Sequence, residues 1–185
     1  MNRKTIDRNR AIIVLLVQTG LRNSELRALT LSDLDFNGGT LTVRHGKGDK
    51  ARTVPFPQKS REAVRRYLES GTRPKSVKKT ALLFGTDADE FGHTTNGAEW
   101  HELSTVALNA IVKSYVNRIT GKVIHCHTLR HMACSLWDDL GVSMRDAQQA
   151  LGHASIAMTE RVYTHVLNKG KAAKSINNAF ACANM

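Results

Sequence analysis

Aromatic residues are scarce in this chain, at 5% of its 185 residues, and only three prolines interrupt it. A core built from such a sequence has to be mainly aliphatic. The three cysteines, Cys126, Cys134 and Cys182, cannot all pair and show no Cys-x-x-Cys spacing, which leaves no disulfide framework and suits a reducing compartment. No apolar h-region follows the opening Met1-Asn-Arg-Lys, so no secretory signal is expected. The longest aliphatic run, Ala11 to Val17, is far too short to span a bilayer. These absences read as a soluble cytoplasmic protein. The length suits one domain that buries a core without staples.

Acidic residues are also outnumbered. Lys and Arg number 27 against 16 Asp and Glu, a formal net charge of +11. That imbalance favours a polyanionic partner, nucleic acid first and an acidic membrane surface second.

Periodicity organises the chain. Ala11 to Val17 is apolar nearly all round and reads as a buried helix ended by Thr19-Gly20. A short helix is expected from Asn23 to Ala28, with Arg22 and Glu25 sharing a face at its start. Thr40 to His45 alternates like a half-buried strand, Gly46 to Lys50 is turn chemistry, and Ala51 to Val54 returns as its partner. Helical spacing follows over Pro57 to Ser70, then a basic connection from Gly71 to Thr80, a third strand at Ala81 to Phe84, and a polar loop from Asp87 to Glu99. Ser104 to Ile119 carries Val106, Ala110, Val112 and Val116 at helical spacing. Leu129, Met132, Ala133, Leu136, Trp137 and Leu140 predict one broad apolar helix face that ends at Gly141. Ser143 with Asp146 opens a short helix that Gly152 stops, and Ser155 can cap another in which Tyr163 sits beside a Met158, Val162, Val166 stripe. The fold class is mainly α with a small antiparallel β-sheet (α+β).

The residues able to do chemistry are arginines, histidines and one tyrosine in short, separated motifs. These are Thr19-Gly-Leu-Arg22-Asn-Ser-Glu25-Leu, Gly46-Lys47-Gly48, His127-Thr-Leu-Arg130-His, Leu151-Gly-His153 and Tyr163-Thr-His. They resemble, in order and over nearly the whole chain, the successive signatures of the tyrosine recombinases, the phage-type integrase family. The resemblance implies that family's catalytic-domain fold, double-stranded DNA as partner, and a site of Arg22, Lys47, His127, Arg130, His153 and Tyr163. Tyr163 would attack a phosphodiester, giving a 3′-phosphotyrosyl link and a free 5′-hydroxyl before strand exchange and religation.

The chemistry is coherent. A phosphodiester gains charge on its non-bridging oxygens in the transition state, and arginine forks are shaped to hold those oxygens. Aimed charge of this kind is usually the largest catalytic term, and here it requires no metal and no cofactor. A phenol of pKa ~10 costs about 4 kcal/mol to ionise at pH 7, which nearby cations and a base must offset. His127 and His153 are phosphate donors, with His127 the better general acid/base because imidazole titrates near neutrality. By the same resemblance Lys47 would be the general acid for the leaving 5′-oxygen, with Lys50 a close competitor for that role. Glu25 orients Arg22. Lys50, Arg52, Arg73 and Lys75 are expected to contact DNA. Tyr67 and Tyr115 read as structural tyrosines.

Two decoys fall away. Gly46-Lys-Gly-Asp-Lys50 lacks the Walker pattern of a nucleotide-binding loop. His125, Cys126, His127, His131 and Cys134 look like a metal cluster, yet Thr128 stands where a zinc-protease helix needs glutamate. Two alternatives stay open: a non-catalytic basic DNA-binding or regulatory module, and a type IB topoisomerase using the same chemistry.

The family resemblance also sets expectations for organisation. Residues 1–167 are the catalytic domain. Residues 168–185, with Ala172, Ile176 and Phe180 on one stripe, are a tail helix able to dock on a neighbouring protomer. The N-terminal core-binding domain is absent, and self-association is expected on DNA as a tetrameric synapse but weak for the chain alone. Half a clamp makes fewer phosphate contacts, and each one lost lowers both affinity and salt slope. DNA binding should therefore be weak and strongly salt-dependent in a fluorescence-anisotropy titration across salt concentrations; tight, salt-insensitive binding would contradict this.

Overall fold

Helix α1, Arg3–Thr19, is the element around which the others assemble. Ala11, Ile12, Leu15 and Leu16 are fully buried, while Ile13, Val14 and Val17 pack at the edge of the same core. α1 lies against α3 (Gln58–Glu69), α5 (Cys126–Asp139) and α4 (Thr105–Thr120). The computed structural model describes residues 3–46, 51–75, 77–86, 100–121 and 124–152. Among these no helix is long and apolar enough to cross a membrane.

The chain leaves α1 through Gly20, whose φ of +62° is open to glycine at little cost. Space is tight here as well: a Cβ would lie 2.7 Å from Leu151 Cδ2 and 3.4 Å from Ala133 Cβ, so Leu151 would have to shift. Helix α2 follows at once over Asn23–Ala28, as its sequence predicts. A 3₁₀ turn over Leu31–Asp33 leads into β1, Leu34–Asp35, then β2, Thr40–Val43, and β3, Arg52–Pro55. The three strands form an antiparallel sheet in the order β1-β2-β3. Its register aligns Leu34 with Leu41 and Leu41 with Val54, so one row of aliphatic side chains faces the core.

The expected third strand at Ala81 to Phe84 is not one. Its place is taken by β1, and Leu82 makes only a single bridge to Thr30. Leu83 and Phe84 are both fully buried. Such a run gives no alternation, and a two-residue strand such as β1 is too short to show any. The next residues, Gly85–Thr86 (β4), pair with His101–Glu102 (β5) in a separate two-stranded sheet. The loop expected from Asp87 to Glu99 lies outside the described residues.

The helices follow their capping signals better than their apolar stripes. In α3, Ser60, Ala63, Val64 and Tyr67 are buried, and the Tyr67 hydroxyl donates to Leu83 O at 3.0 Å. Ser104 Oγ caps α4 at the Ala107 amide. The α4 core face is Leu108, Val112 and Val116, whereas Val106 is 77% exposed. Val106 and Ala110 have helical spacing too, but on the side away from α1 and α5. In α5, Leu129, Ala133, Cys134 and Trp137 are buried while Met132, Leu136 and Leu140 are exposed, so the broad face expected there is split. Ser143 caps α6, Met144–Leu151, through the Asp146 amide, and Gly152 ends it at φ +64°. Trp137, Cys134, Ala147 and Leu151 form a small second cluster that joins α6 to α5.

Arg73 is a correction to the sequence reading. It is 6% exposed, and its guanidinium donates to the carbonyls of Leu82, Val77, Lys78 and Ala81. It braces the basic connection from inside, so its donors are not offered to DNA. Removing it strands several carbonyls and a packed stem. Arg73→Ala should cost about 2–3 kcal/mol in urea unfolding, with DNA affinity unchanged.

Candidate active site

The break at Gly20 sets up the first catalytic candidate. Arg22 is the N-cap of α2, with extended backbone, and Glu25 one turn later reaches back to it. Glu25 Oε2 accepts the Arg22 amide at 2.8 Å and Oε1 accepts Arg22 Nη1 at 2.6 Å. A carboxylate in a first helical turn is favoured by the unpaired amides there. Arg22 Nη2 reaches across to Gly152 O at 3.0 Å.

Arg130 arrives from the far side on α5 and is 5% exposed. Its Nη1 donates to Gly20 O and its Nη2 to Leu151 O. Nη1 also lies 4.0 Å from the Glu25 carboxylate. Burial, followed by the neighbouring Arg22 charge, pushes the Arg130 guanidinium down to about 10. It stays charged near neutrality.

The third guanidinium is that of Arg52, on β3. Its Nη1 and Nη2 hold both Glu25 oxygens at 2.8 Å, and its Nε donates to Ala150 O at 2.8 Å. Expected as a DNA contact, Arg52 instead has a side chain only 10% exposed, with its Nε, Nη1 and Nη2 each bonded within the protein. Its bidentate grip was not visible in sequence, because Glu25 lies on a distant element.

Burial raises the Glu25 carboxyl, but hydrogen bonds from Arg52 and the Arg22 amide, with the Arg52 charge and the Arg22 guanidinium, outweigh it and bring it to about 2. Both oxygens are engaged and the group is ionised near neutrality. It holds guanidiniums and has no proton to move.

Arg22 and Arg130 face a groove of about 500 Å³ that His127 also lines. His127 is exposed in the first turn of α5, and its ring meets that of His131 edge-on at 4.5 Å. Burial, then the His127 and Arg130 charges, lowers the His131 pKa. Cys126 and Asn23 lie in the same wall, the Asn23 amide donating to Cys126 Sγ at 3.5 Å. Burial raises the Cys126 thiol, which keeps it protonated. Leu21, Ser24, Arg27, Thr105, Asn109 and His125 complete the lining; of these only His125 stood out in the sequence, and there as part of the metal-like cluster. Among the described residues no three His, Cys, Asp or Glu side chains gather as a metal site.

The structure thus brings together Arg22, Glu25, His127 and Arg130 from the expected set. Lys75 is exposed on the connection after α3 and does not line the groove. Lys47, Lys50, His153 and Tyr163 lie outside the described residues, as does the tail helix.

The chain is similar to known proteins in sequence and in fold. The profile of the phage integrase family matches residues 2–169. The tyrosine recombinase XerC of Lacticaseibacillus casei is 38% identical over 161 residues, covering 86% of this chain and 50% of the relative. The tyrosine recombinase XerA of Pyrococcus furiosus is 35% identical over 162 residues, covering 88% and 51%. The chain spans about half the length of these relatives. Among solved structures, a XerA recombinase superposes with a TM-score of 0.73 at 26% identity, covering 95% of this chain and 57% of that one. A XerH site-specific recombinase bound to a palindromic difH substrate, in a post-cleavage complex, gives 0.68 at 26% identity, covering 88% and 43%.

Glu25 makes stability depend on pH. Its folded pKa lies below the ordinary value, so its contribution is present above about 4.5 and is lost as pH falls toward 2. Between those limits the wild type should lose about 3 kcal/mol more than Glu25→Gln, read by denaturant unfolding at stepped pH. At pH 7 the variant should itself be less stable by about 3–5 kcal/mol, because three guanidiniums lose their shared anion.

Proposed function

Because this chain belongs to the phage integrase family, the tyrosine recombinases, we propose that it is the catalytic domain of a site-specific recombinase or integrase acting on double-stranded DNA. The observation that carries this reading is the convergence of Arg22 and Arg130 on one groove, both anchored through Glu25 and the end of α6. Each keeps N–H groups beyond those bonded to protein, so the pair can hold the non-bridging oxygens of one phosphate. The relative XerH was solved with its difH DNA substrate, which supports DNA as the partner here.

In the proposed step, Tyr163 Oη attacks phosphorus and loses its proton to a base, for which His127 is the candidate beside Arg130. The bond to the 5′-oxygen breaks as a lysine, Lys47 or Lys50, supplies the proton to that leaving oxygen. The product is a 3′-phosphotyrosyl link and a free 5′-hydroxyl, and rejoining is the reverse with another strand's hydroxyl. His153 donates to a phosphate oxygen. Residues 1–167 make up the catalytic unit in this reading, and residues 168–185 the tail that docks on another copy. A cytoplasmic setting, bacterial or phage, and assembly on DNA complete the proposal.

Nicked duplexes with a randomised core test it without knowledge of the target site. An SDS-stable protein–DNA adduct should form, and Tyr163→Phe should abolish it. Arg130→Lys keeps charge but loses the planar fork and should slow adduct formation about 10²–10³-fold. DNA binding without any adduct would favour a regulatory module instead.

A further inference from the structure

Three successive carbonyls at the end of α6 each accept from a different arginine. Ala150 O takes Arg52 Nε, Leu151 O takes Arg130 Nη2, and Gly152 O takes Arg22 Nη2. The last carbonyls of a helix have no partner within it and carry its negative dipole end, which suits cations. The same arginines surround the Glu25 carboxylate. Of the three guanidiniums, that of Arg52 is the one hydrogen-bonded to both of its oxygens.

We propose that Arg52 is a positioning residue for strand cleavage. It fastens the Glu25 carboxylate and the end of α6 to strand β3, so that Arg22 and Arg130 present their remaining N–H groups to one phosphate. This inference rests on the recombinase reading above. A planar fork suits the task because a single guanidinium binds two carboxylate oxygens and a carbonyl in fixed directions, which an ammonium cannot do. The Arg52 side chain passes close to Gly152, where a Cβ would come within 3.1 Å of Arg52 Cδ and Nε. The glycine that ends α6 therefore also admits the arginine that holds it. Arg52 follows the hairpin tip carrying Lys47, and His153 directly follows Gly152. One side chain thus ties together the two stretches of chain that lead to those residues.

The test compares the full chain with Arg52→Lys, Arg52→Gln, Glu25→Gln and the double variant Arg52→Gln/Glu25→Gln. The probe is a nicked duplex recovered from the randomised library as an SDS-stable adduct. For both Arg52 variants, single-turnover adduct formation should slow about 10–100-fold, the scale expected when a catalytic group is misplaced by about an ångström. Duplex affinity and its salt slope should stay within about twofold of wild type. The double variant should be no slower than the slower single variant, because both changes break one linkage. Arg52→Lys carries the test if Arg52→Gln does not fold.

Adduct formation within twofold of wild type overturns the inference. So does a loss of affinity and salt slope that matches the loss of rate, since that identifies a DNA contact. Multiplying effects in the double variant also overturn it. A wild type that forms no adduct overturns the recombinase reading instead. The positioning claim is then decided by the Nε–H NMR signals of Arg22 and Arg130: a shift in Arg52→Lys supports it and unchanged signals refute it.

Discussion

The Glu25 carboxylate, buried and shared among Arg22, Arg52 and Arg130, is the interaction on which the site depends. Three guanidiniums in a low-dielectric interior repel one another and resist burial. One anion at their centre reverses the sign of the nearest interactions, and the carbonyl end of α6 satisfies further donors. The desolvation that raises the carboxyl and lowers Arg130 is thereby offset within one network. Removing the carboxylate leaves three clustered guanidiniums with no anion among them.

This network works only because the apolar core delivers its parts to one place. α1 packs on α3, α4 and α5, and the turn at Gly20 brings α2 out beside Arg130. Leu151 fills the space left open at Gly20, which seats the end of α6 against the same turn. Many of the arginines' acceptors are backbone carbonyls, at Gly20, Ala150, Leu151 and Gly152. Backbone path, more than side-chain identity, therefore sets the directions of the guanidiniums. Cys126 and Asn23 of the groove wall add a protonated thiol and a hydrogen bond.

Features that depend on neighbouring residues were readable before the structure. The Arg22–Glu25 pair follows from helical spacing, the ends of α1 and α6 from Gly20 and Gly152, and the start of α6 from Ser143. Features that depend on what lies opposite were not. Arg52 and Arg73 look alike in sequence, two basic residues near turns, yet one grips a carboxylate and the other four carbonyls. The stripe through Val106 has the same period as the true face through Leu108, and only packing against α1 and α5 separates them. The strand Leu34–Asp35 is too short to show a period.

Residue order, local spacing and charge were enough to specify that the described helices exist and where α1 and α6 end, the central hairpin, the family and the arginine pair that would bind phosphate, though not the start of α1 at Arg3. These are carried by contacts within a few positions of one another and by motif chemistry. Tertiary structure alone decided that Arg52 belongs to the site's support, that Arg73 is a brace, and that the α6 carbonyls hold the arginines. Each of those depends on a hydrogen-bond acceptor supplied by another element, and an acceptor's position in space has no local trace in the chain.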